Sequence, residues 1–247
     1  MFYVDSHIHL QDYKTKDAES IVKNAQKFNV TIFVNPSAHP TDWPAITSLA
    51  AQYPQIIPAY GIHPWHIQAA AENWADDLAS LLQNNPRAWV GECGIDRLKT
   101  PNIDAQLTVF KTHIKLAKQY NRPLIIHAVK ADSILEPFLS ELPARTVFHS
   151  FTGSIEWGQQ IQNRGFCIGL NFSILRKKNA AQIINSLNLS RVLLETDGPY
   201  QSGEKGVESM PQNLPLLAEK IAELRGLKTA RLAEILYQNW RHFTGEK

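Results

Sequence analysis

Two histidines near the start of the chain, His7 and His9, are separated by a single residue. The residues around them, Tyr3, Val4 and Ile8, favour an extended strand. Side chains two positions apart on a strand point to the same side, so the two imidazoles can converge on one point. Such a pair can supply two nitrogen ligands to a divalent metal ion. Taken alone, the pair also fits two strand-end histidines that only pack or cap a turn.

Further ligand-type residues stand where other apolar, β-rich segments end. They are His63, Glu92 in Gly-Glu-Cys-Gly, His127 after Pro-Leu-Ile-Ile, His149 after Thr-Val-Phe, and Asp197 in Leu-Leu-Glu-Thr-Asp-Gly-Pro-Tyr. A lone histidine at any one of these places is more often structural. In a parallel barrel, however, the ends of the strands share one face. Five histidines and two carboxylates on one face indicate a metal-dependent active site.

The ligand set contains nitrogen and oxygen but no sulfur, which suits zinc or manganese and suits magnesium less well. Six residues are too many for one tetrahedral site: His7, His9, Glu92, His127, His149 and Asp197. They suffice for two divalent ions about 3.5–4 Å apart, with Glu92 as the bridging carboxylate. Two such ions would lower the pKa of a shared water. Asp197 is the predicted base that orients this water and takes its proton.

Strand alternation assigns the neighbours of these ligands. Asp5 falls on the side of His7 and His9, and Glu195 falls on the side of Asp197, so both are predicted to support the ligands. Cys93 points away from the adjacent Glu92 and is predicted to be an inert packing residue.

Eight short apolar segments are predicted as the strands that position these residues. They are Phe2–His7, Val30–Asn35, Ile56–Gly61, Ala88–Cys93, Pro123–His127, Thr146–His149, Gly165–Leu170 and Arg191–Thr196. Amphipathic segments separate them, the clearest being Ile103–Tyr120, with Thr100 as its expected N-cap and Pro101 in its first turn. Two more helices, Pro211–Arg225 and Thr229–Phe243, close the chain.

Strands that alternate with helices favour an α/β fold with parallel βα units. Eight such units in 247 residues predict a (β/α)8 TIM barrel, with a doubly wound open sheet as the alternative. No Pro/Gly/Ser-rich linker, low-complexity tract or internal repeat interrupts the chain, so we expect a single domain over residues 1–247.

Composition narrows the class of protein. The net charge of +2 is too small to argue for nucleic acid by itself, and 44% hydrophobic residues allow a substantial core. Two cysteines, Cys93 and Cys167, make a disulfide framework unexpected. A signal peptide pattern is absent, and no run approaches the about 20 apolar residues of a membrane span. A cytoplasmic protein without a membrane or obligate protein partner is the expectation.

As a set, the motifs resemble those of the TatD family of metal-dependent hydrolases, in order along nearly the whole chain. The motifs are Ser6-His7-Ile-His9, Gly61-Ile-His63-Pro64, Gly91-Glu92-Cys-Gly94-Ile-Asp96, Pro123-Leu-Ile-Ile-His127, His149-Ser-Phe-Thr-Gly153-Ser154 and Glu195-Thr-Asp197-Gly-Pro199-Tyr200. The resemblance implies a barrel of the metal-dependent amidohydrolase type, a divalent-metal centre and deoxyribonuclease activity, often as a 3′-to-5′ exonuclease. By position it implies His7, His9, Glu92, His127, His149 and Asp197 as metal ligands, with His63 and His66 facing the substrate.

The chain departs from the usual pattern of that family at three places. Ala128-Val129-Lys130 follows His127 where Ser-Arg is frequent, Arg97 stands where an aromatic residue is common, and Gly198 replaces the usual Ala or Ser. No ligand is lost, so these differences bear on the substrate.

Loops after the strands carry basic and aromatic residues that fit a DNA strand. Lysines and arginines there could neutralise phosphates: Lys14, Arg97, Lys99, Lys130, Arg176, Lys177, Lys178 and Lys205. The aromatic residues Trp65, Phe151, Phe172 and Tyr200 could stack on unpaired bases. Acidic residues share these loops, namely Asp96, Asp132, Glu156, Glu204 and Glu208, so an ordinary solvated rim fits equally well.

Three functions remain open at this point. The first is hydrolysis of phosphodiester bonds, with DNA, single-stranded or at 3′ ends, as substrate and with two divalent ions (Zn, Mn or Mg) as cofactors. Asp197 and Glu92 are its predicted catalytic residues, and His63, His66, Lys130, Arg97 and Tyr200 its predicted substrate contacts. The second keeps the metals and changes the bond to an ester or amide in a small molecule or aminoacyl-tRNA. The third, a non-catalytic binding barrel, is disfavoured because every ligand is present.

Overall fold

The computed structural model describes residues 2–99, 102–204 and 206–245. Its strands lie in one eight-stranded sheet and follow one another in sequence order. They are β1 (Tyr3–Asp5), β2 (Val30–Pro36), β3 (Ile56–Tyr60), β4 (Trp89–Asp96), β5 (Leu124–Val129), β6 (Thr146–Phe148), β7 (Cys167–Leu170) and β8 (Val192–Leu194).

Helices alternate with these strands. The α-helices are α1 (Ala18–Gln26), α2 (Trp43–Gln52), α3 (Trp74–Asn84), α4 (Ile103–Gln119), α5 (Asp132–Leu135), α6 (Ile155–Asn163), α7 (Ala180–Ser186), α8 (Leu214–Leu224) and α9 (Thr229–Thr244). Short 3-10 turns occupy Leu10–Asp12, Pro40–Asp42, Pro64–Ala69, Glu136–Ser140, Phe172–Arg176, Leu189–Arg191 and Pro211–Asn213. Within the described ranges, none of the helices is both long enough and apolar enough to cross a membrane.

The elements agree with the sequence predictions apart from their ends. Each predicted strand is present, and its ends move by no more than three residues. Helix α4 begins at Ile103, and Asn102 caps it by accepting a hydrogen bond from the amide of Ala105 at 3.1 Å. The expected cap, Thr100 with Pro101, lies outside the described residues. The predicted helix from Pro211 is divided, because a 3-10 turn precedes α8.

The described chain falls into two compact units. Unit 1 comprises Met1–Val34 and Ser150–Lys247. In it, β1 pairs with β2, with Asp5 opposite Phe33, and β7 pairs with β8, with Leu170 opposite Leu194. The amide of Ser6 donates to the carbonyl of Leu194 at 3.0 Å, so the segment after β1 also runs beside β8. Helix α9 packs against both β1 and β8, which makes these two strands part of one core.

Unit 2, Asn35–His149, contains β3 to β6. Strand β4 is buried along its whole length, between β3 and β5. Its register against β5 shifts between Val90 and Cys93, and an irregularity of this kind changes the direction of nearby side chains. Helix α4 covers β4 with the buried side chains of Phe110 and Ile114. A rigid, desolvated strand therefore carries Glu92.

Candidate functional site

In unit 1, backbone hydrogen bonds bring the ends of β1 and β8 together with their functional residues. The amide of Asp197 donates to the carbonyl of His7 at 2.9 Å, and the amide of His9 donates to the carbonyl of Gly198 at 2.7 Å. Asp197 has a φ of +54°, a left-handed conformation that aspartate tolerates better than most residues. These two hydrogen bonds join the chain segments that carry His7, His9 and Asp197.

His7, His9 and Asp197 form a compact group of buried donor atoms. The Nε2 atoms of the two histidines are 3.1 Å apart. Asp197 Oδ1 lies 3.7 Å from His7 Nε2 and 3.6 Å from His9 Nε2. The exposed fraction of these residues is 0% for His7, 4% for His9 and 7% for Asp197, so little water reaches them.

Behind this group, Asp5 ties the two segments together. Its Oδ1 accepts from the amide of Thr196 at 2.9 Å, and its Oδ2 accepts from the Thr196 hydroxyl at 2.6 Å. Oδ1 also lies 3.4 Å from the amide of His7. Burial raises the pKa of Asp5 to about 7. Asp5 therefore supports the ligand segments through their backbone, rather than through the imidazoles themselves.

Glu195 is fully buried in unit 1, two positions before Asp197 in the sequence. Its Oε1 accepts from the amide of Ser150 at 2.6 Å and lies 3.4 Å from Asn171 Nδ2. A Cβ at Gly169 would lie only 2.1 Å from Glu195 Oε2, so β7 needs glycine to leave room for this carboxylate. Glu195 thus fixes the segment that begins at Ser150.

In unit 2, a second group of donors converges on one carboxylate oxygen, Glu92 Oε1. It lies 2.7 Å from His127 Nδ1, 2.6 Å from His149 Nε2 and 3.4 Å from His63 Nε2. His127 Nδ1 is also 3.1 Å from His149 Nε2 and 3.2 Å from His63 Nε2. Glu92 is 2% exposed, so its charge has little solvent to stabilise it.

The spacing of both groups fits a divalent metal ion. A metal bound at about 2.0–2.1 Å holds its ligand atoms roughly 3–3.5 Å from one another. The nitrogen–nitrogen separations of 3.1 Å in each group match that range, and Asp197 Oδ1 lies just beyond it, 3.6 and 3.7 Å from the two imidazoles. Glu92 Oε1 lies closer, at the hydrogen-bond distances of 2.6 and 2.7 Å from His149 and His127. Since these atoms are imidazole nitrogens and carboxylate oxygens, zinc and manganese suit them.

His63 is set apart from the other histidines by its hydrogen bonds. Its Nδ1 accepts from the amide of Trp65 at 3.0 Å, so the proton of the neutral ring is on Nε2. Burial lowers the pKa of His63 to about 4, which keeps the ring neutral at pH 7. A protonated Nε2 donates a hydrogen bond but does not bind a metal. His63 is therefore suited to contact a substrate oxygen.

Asp96 contacts the second donor group, although the sequence placed it among the acidic residues of a solvated rim. The structure corrects this, because Asp96 is 2% exposed and belongs to the end of β4. Its Oδ2 lies 3.3 Å from His127 Nε2 and accepts from the indole N–H of Trp65 at 2.6 Å. The side chain of Gln106 on α4 accepts a hydrogen bond from the backbone N–H of Asp96 and donates one to the backbone carbonyl of Asp96. Asp96 therefore orients the ring of His127 from the side opposite Glu92.

A signal for Asp96 was present in the sequence. Glu92, Gly94 and Asp96 alternate along one strand, so the two carboxylates share a side. The predicted strand ended at Cys93, three residues before β4 ends, and this left Asp96 in a loop.

Burial lowers the basicity of His127, but its hydrogen bonds to Asp96 and Glu92 outweigh this effect and raise its pKa.

The predicted substrate contacts occupy more exposed places. In unit 2, Arg97 and Lys130 are exposed at the ends of β4 and β5, where Arg97 Nη1 lies 3.5 Å from the carbonyl of Lys130. The ring of His66 is half-buried, 6.3 Å from that of His63. In unit 1, the exposed Tyr200 contacts the edge of His9 at 5.6 Å and donates its hydroxyl to Asp12 Oδ2 at 3.0 Å.

The predicted stacking residues separate into two classes. Trp65 and Tyr200 are 43% and 52% exposed, which leaves ring surface open to a ligand. Phe151, in contrast, is 5% exposed and packs in the core, so it is not available for stacking.

Cys93 is buried with its Sγ 3.6 Å from the carbonyl of Ile125, which confirms it as a packing residue. Lys205 lies outside the described residues.

Comparison with known proteins places this chain in a family. The family model described as TatD related DNase matches residues 4–245. An uncharacterized metal-dependent hydrolase of Methanocaldococcus jannaschii is 27% identical over 240 residues, covering 96% of this chain and 94% of the relative. The human deoxyribonuclease TATDN3 is 27% identical over 255 residues, covering 96% and 92%.

A solved structure gives the same result for the fold. The crystal structure of the TatD homologue YJJV from Escherichia coli superposes with a TM-score of 0.92 at 25% identity, covering 99% of this chain and 98% of that one. The predicted (β/α)8 TIM barrel is confirmed. With the family model spanning almost the whole sequence, the chain belongs to the TatD family of metal-dependent hydrolases.

Proposed function

We propose that this protein is a deoxyribonuclease that hydrolyses phosphodiester bonds in single-stranded DNA or at 3′ ends. The observation that carries the proposal is the pair of buried donor groups, His7/His9/Asp197 and Glu92/His127/His149, whose nitrogen–nitrogen separations of 3.1 Å suit divalent ions. The names of the family and of its human relative, both deoxyribonucleases, support phosphodiesters over other esters.

Each donor group holds one divalent ion, Zn, Mn or Mg, in this proposal. A bound ion polarises the phosphoryl oxygens and lowers the pKa of a nearby water. The strands of the chain position the ligands: β1 and β8 position the first group, and β4, β5 and the end of β6 position the second. Glu92 acts as a ligand whose charge compensates the cation in a site with little water.

Proton transfers are assigned to two residues. Asp197 is the general base, because its Oδ1 lies 3.7 Å from His7 Nε2 and 3.6 Å from His9 Nε2, beside the ion that this group would hold and the water that such an ion would activate. His63 is neutral and carries its proton on Nε2, so it donates a hydrogen bond to a phosphoryl or leaving oxygen. The burial of both residues and their backbone hydrogen bonds support these two assignments.

Residues at the rim bind the strand. Arg97 and Lys130 stand side by side in solvent and neutralise backbone phosphates. His66 adds a polar contact beside His63, and Tyr200 offers an exposed ring beside His9. Because these groups contact phosphates and rings rather than base edges, little sequence preference is expected.

The test is hydrolysis of single-stranded DNA labelled at its 3′ or its 5′ end, by protein loaded with Mg, Mn or Zn. We expect a ladder that shortens from the 3′ end. Asp197→Asn should keep the fold and lower turnover by about 10²-fold or more, because the proton acceptor is lost. Asp104→Asn, an exposed carboxylate in the first turn of α4, is the matched control and should cleave as the wild type does.

Two outcomes would contradict the proposal. Near-normal turnover by Asp197→Asn, with its metal content verified, would remove the assignment of the base. An absence of cleavage with each metal, despite stoichiometric binding, would reject the nuclease and direct the search to esters and amides.

A further inference from the structure

Trp65 is an exposed aromatic residue in the 3-10 turn Pro64–Ala69, with 43% of its surface accessible. Single exposed aromatic residues are common and need no explanation. Trp65 differs because it is held firmly: its indole N–H donates to the buried carboxylate of Asp96 at 2.6 Å. An open ring in one fixed orientation is the property of a stacking surface.

The position of the ring relates it to the donors of unit 2. Its centroid lies 4.8 Å from the ring of His63 and 6.5 Å from the ring of His127. A flat group on Trp65 would therefore sit next to the histidine that faces the substrate and near a candidate metal ligand.

In the free protein, a lysine occupies one face of the indole. Lys99 Nζ lies 3.5 Å from the ring centroid. A cation over an exposed ring is worth about 2- to 5-fold in an equilibrium constant, and a base stacked on an aromatic side chain is worth about 5- to 150-fold. A base can thus displace the exposed, flexible Lys99. We expect the displaced ammonium group to pair with a phosphate of the same strand.

We propose that Trp65 is the stacking platform for an unpaired base of the substrate strand. This inference rests on the proposed function, since it names the part of a single-stranded nucleic acid that unit 2 recognises. Stacking is tolerant of base identity, because every base has a π-face. The platform therefore selects strands with unpaired bases over strands without bases.

The experiment compares two probes of equal charge: a short phosphorothioate oligothymidylate and the same backbone with abasic sites. Fluorescence anisotropy gives the affinity of metal-loaded protein for each probe, without cleavage. We expect the wild type to bind the base-bearing strand about tenfold more tightly than the abasic one. Trp65→Ala should lose this preference by weakening only the base-bearing complex.

Two further variants separate stacking from structural support. Trp65→Phe removes the hydrogen bond to Asp96 but keeps a ring, so we expect its preference to stay within about threefold of the wild type. Phe28→Ala removes an exposed aromatic residue near the start of β2 and should bind both probes as the wild type does.

Two results would contradict the proposed stacking role of Trp65. Equal weakening of both probes by Trp65→Ala would show that the indole only supports Asp96 and His127. Equal affinity of the wild type for both probes would also exclude stacking. Because binding is read without turnover, the two proposals fail separately. Base preference that depends on Trp65 without DNA cleavage would reject the nuclease alone, and cleavage without base preference would reject the platform alone.

Discussion

Asp96 joins two side chains with different tasks. One of its oxygens contacts both the His127 ring and the Trp65 indole, at 3.3 and 2.6 Å, and the other accepts from the amides of Leu98 and Lys99. A carboxylate on the outer nitrogen of a metal-binding histidine fixes the ring and increases its basicity. The strength of metal binding in unit 2 should therefore depend on a residue that is not itself a ligand.

Replacing Asp96 tests this dependence. We expect Asp96→Asn to lower the metal affinity of the protein by about 10- to 100-fold, since an amide holds the imidazole less strongly than a carboxylate does. Competition with a chromophoric chelator measures this affinity. Asp104→Asn, which removes an exposed carboxylate on α4, serves as the matched control. Unchanged affinity in Asp96→Asn would show that Asp96 serves only the backbone of β4.

At the scale of elements, α4 carries a histidine with a structural task. His113 is fully buried, its Nδ1 lies 2.8 Å from the carbonyl of Val109, and its Nε2 accepts from the amide of Ile62 at 3.1 Å. The neutral ring thus links α4 to the segment that follows β3. Burial lowers the pKa of His113 to about 4.

His113 should make the stability of the protein sensitive to acid. The unfolded chain takes up this proton near pH 6.5 and the folded chain only near pH 4, so stability is lost as the pH falls through that interval. Between pH 7 and 5 the loss is about 2 kcal/mol. Urea unfolding of chelated wild type and His113→Gln at both values measures it. The variant should lose less stability by about that amount, and equal losses would contradict the assignment.

The turn after β8 contains a glycine, Gly198, whose presence has a steric reason. A Cβ at Gly198 would lie 2.1 Å from the Tyr13 hydroxyl and 2.6 Å from the carbonyl of Ser209, which that hydroxyl contacts at 2.5 Å. Tyr13 therefore fills the space that alanine or serine would need. This explains why glycine follows Asp197 in this chain.

Gly198→Ala should accordingly destabilise the protein by about 1–3 kcal/mol, through overpacking against Tyr13 and the backbone. Adding Tyr13→Phe removes the clashing hydroxyl, so the double variant should be more stable than the sum of the single effects predicts. Urea unfolding of the four proteins measures this coupling. Strict additivity would mean that Tyr13 is not what excludes a side chain at Gly198.

Elements were easier to predict from the sequence than their ends. Apolar runs such as Leu124–Ile126 have few alternatives to a buried strand, because burial on both faces removes polar positions. Strand ends have no such signal, and the misplaced end of β4 concealed Asp96. The task of His113 also could not be predicted, because it depends on the amide of Ile62, 51 positions away in the sequence.

At the scale of the whole molecule, each compact unit carries its own group of ligand-type side chains. Unit 1 holds His7, His9 and Asp197, and unit 2 holds Glu92, His127 and His149. The sequence predicted all six from their places at strand ends, and their roles as ligands stay a prediction. The assignment of residues 1–247 to one domain also stays a prediction. The account requires that both groups contribute to one activity.

The most direct test of that requirement follows metal binding and turnover in one sample. Chelated protein is titrated with Mn or Zn, and bound metal and the hydrolysis of a single-stranded oligonucleotide are recorded together. We predict that turnover rises as two ions bind per chain, and that His9→Asn and His127→Asn each lose one ion and most of the activity. Full turnover by the chelated protein, or by either variant with only one ion bound, would contradict the account.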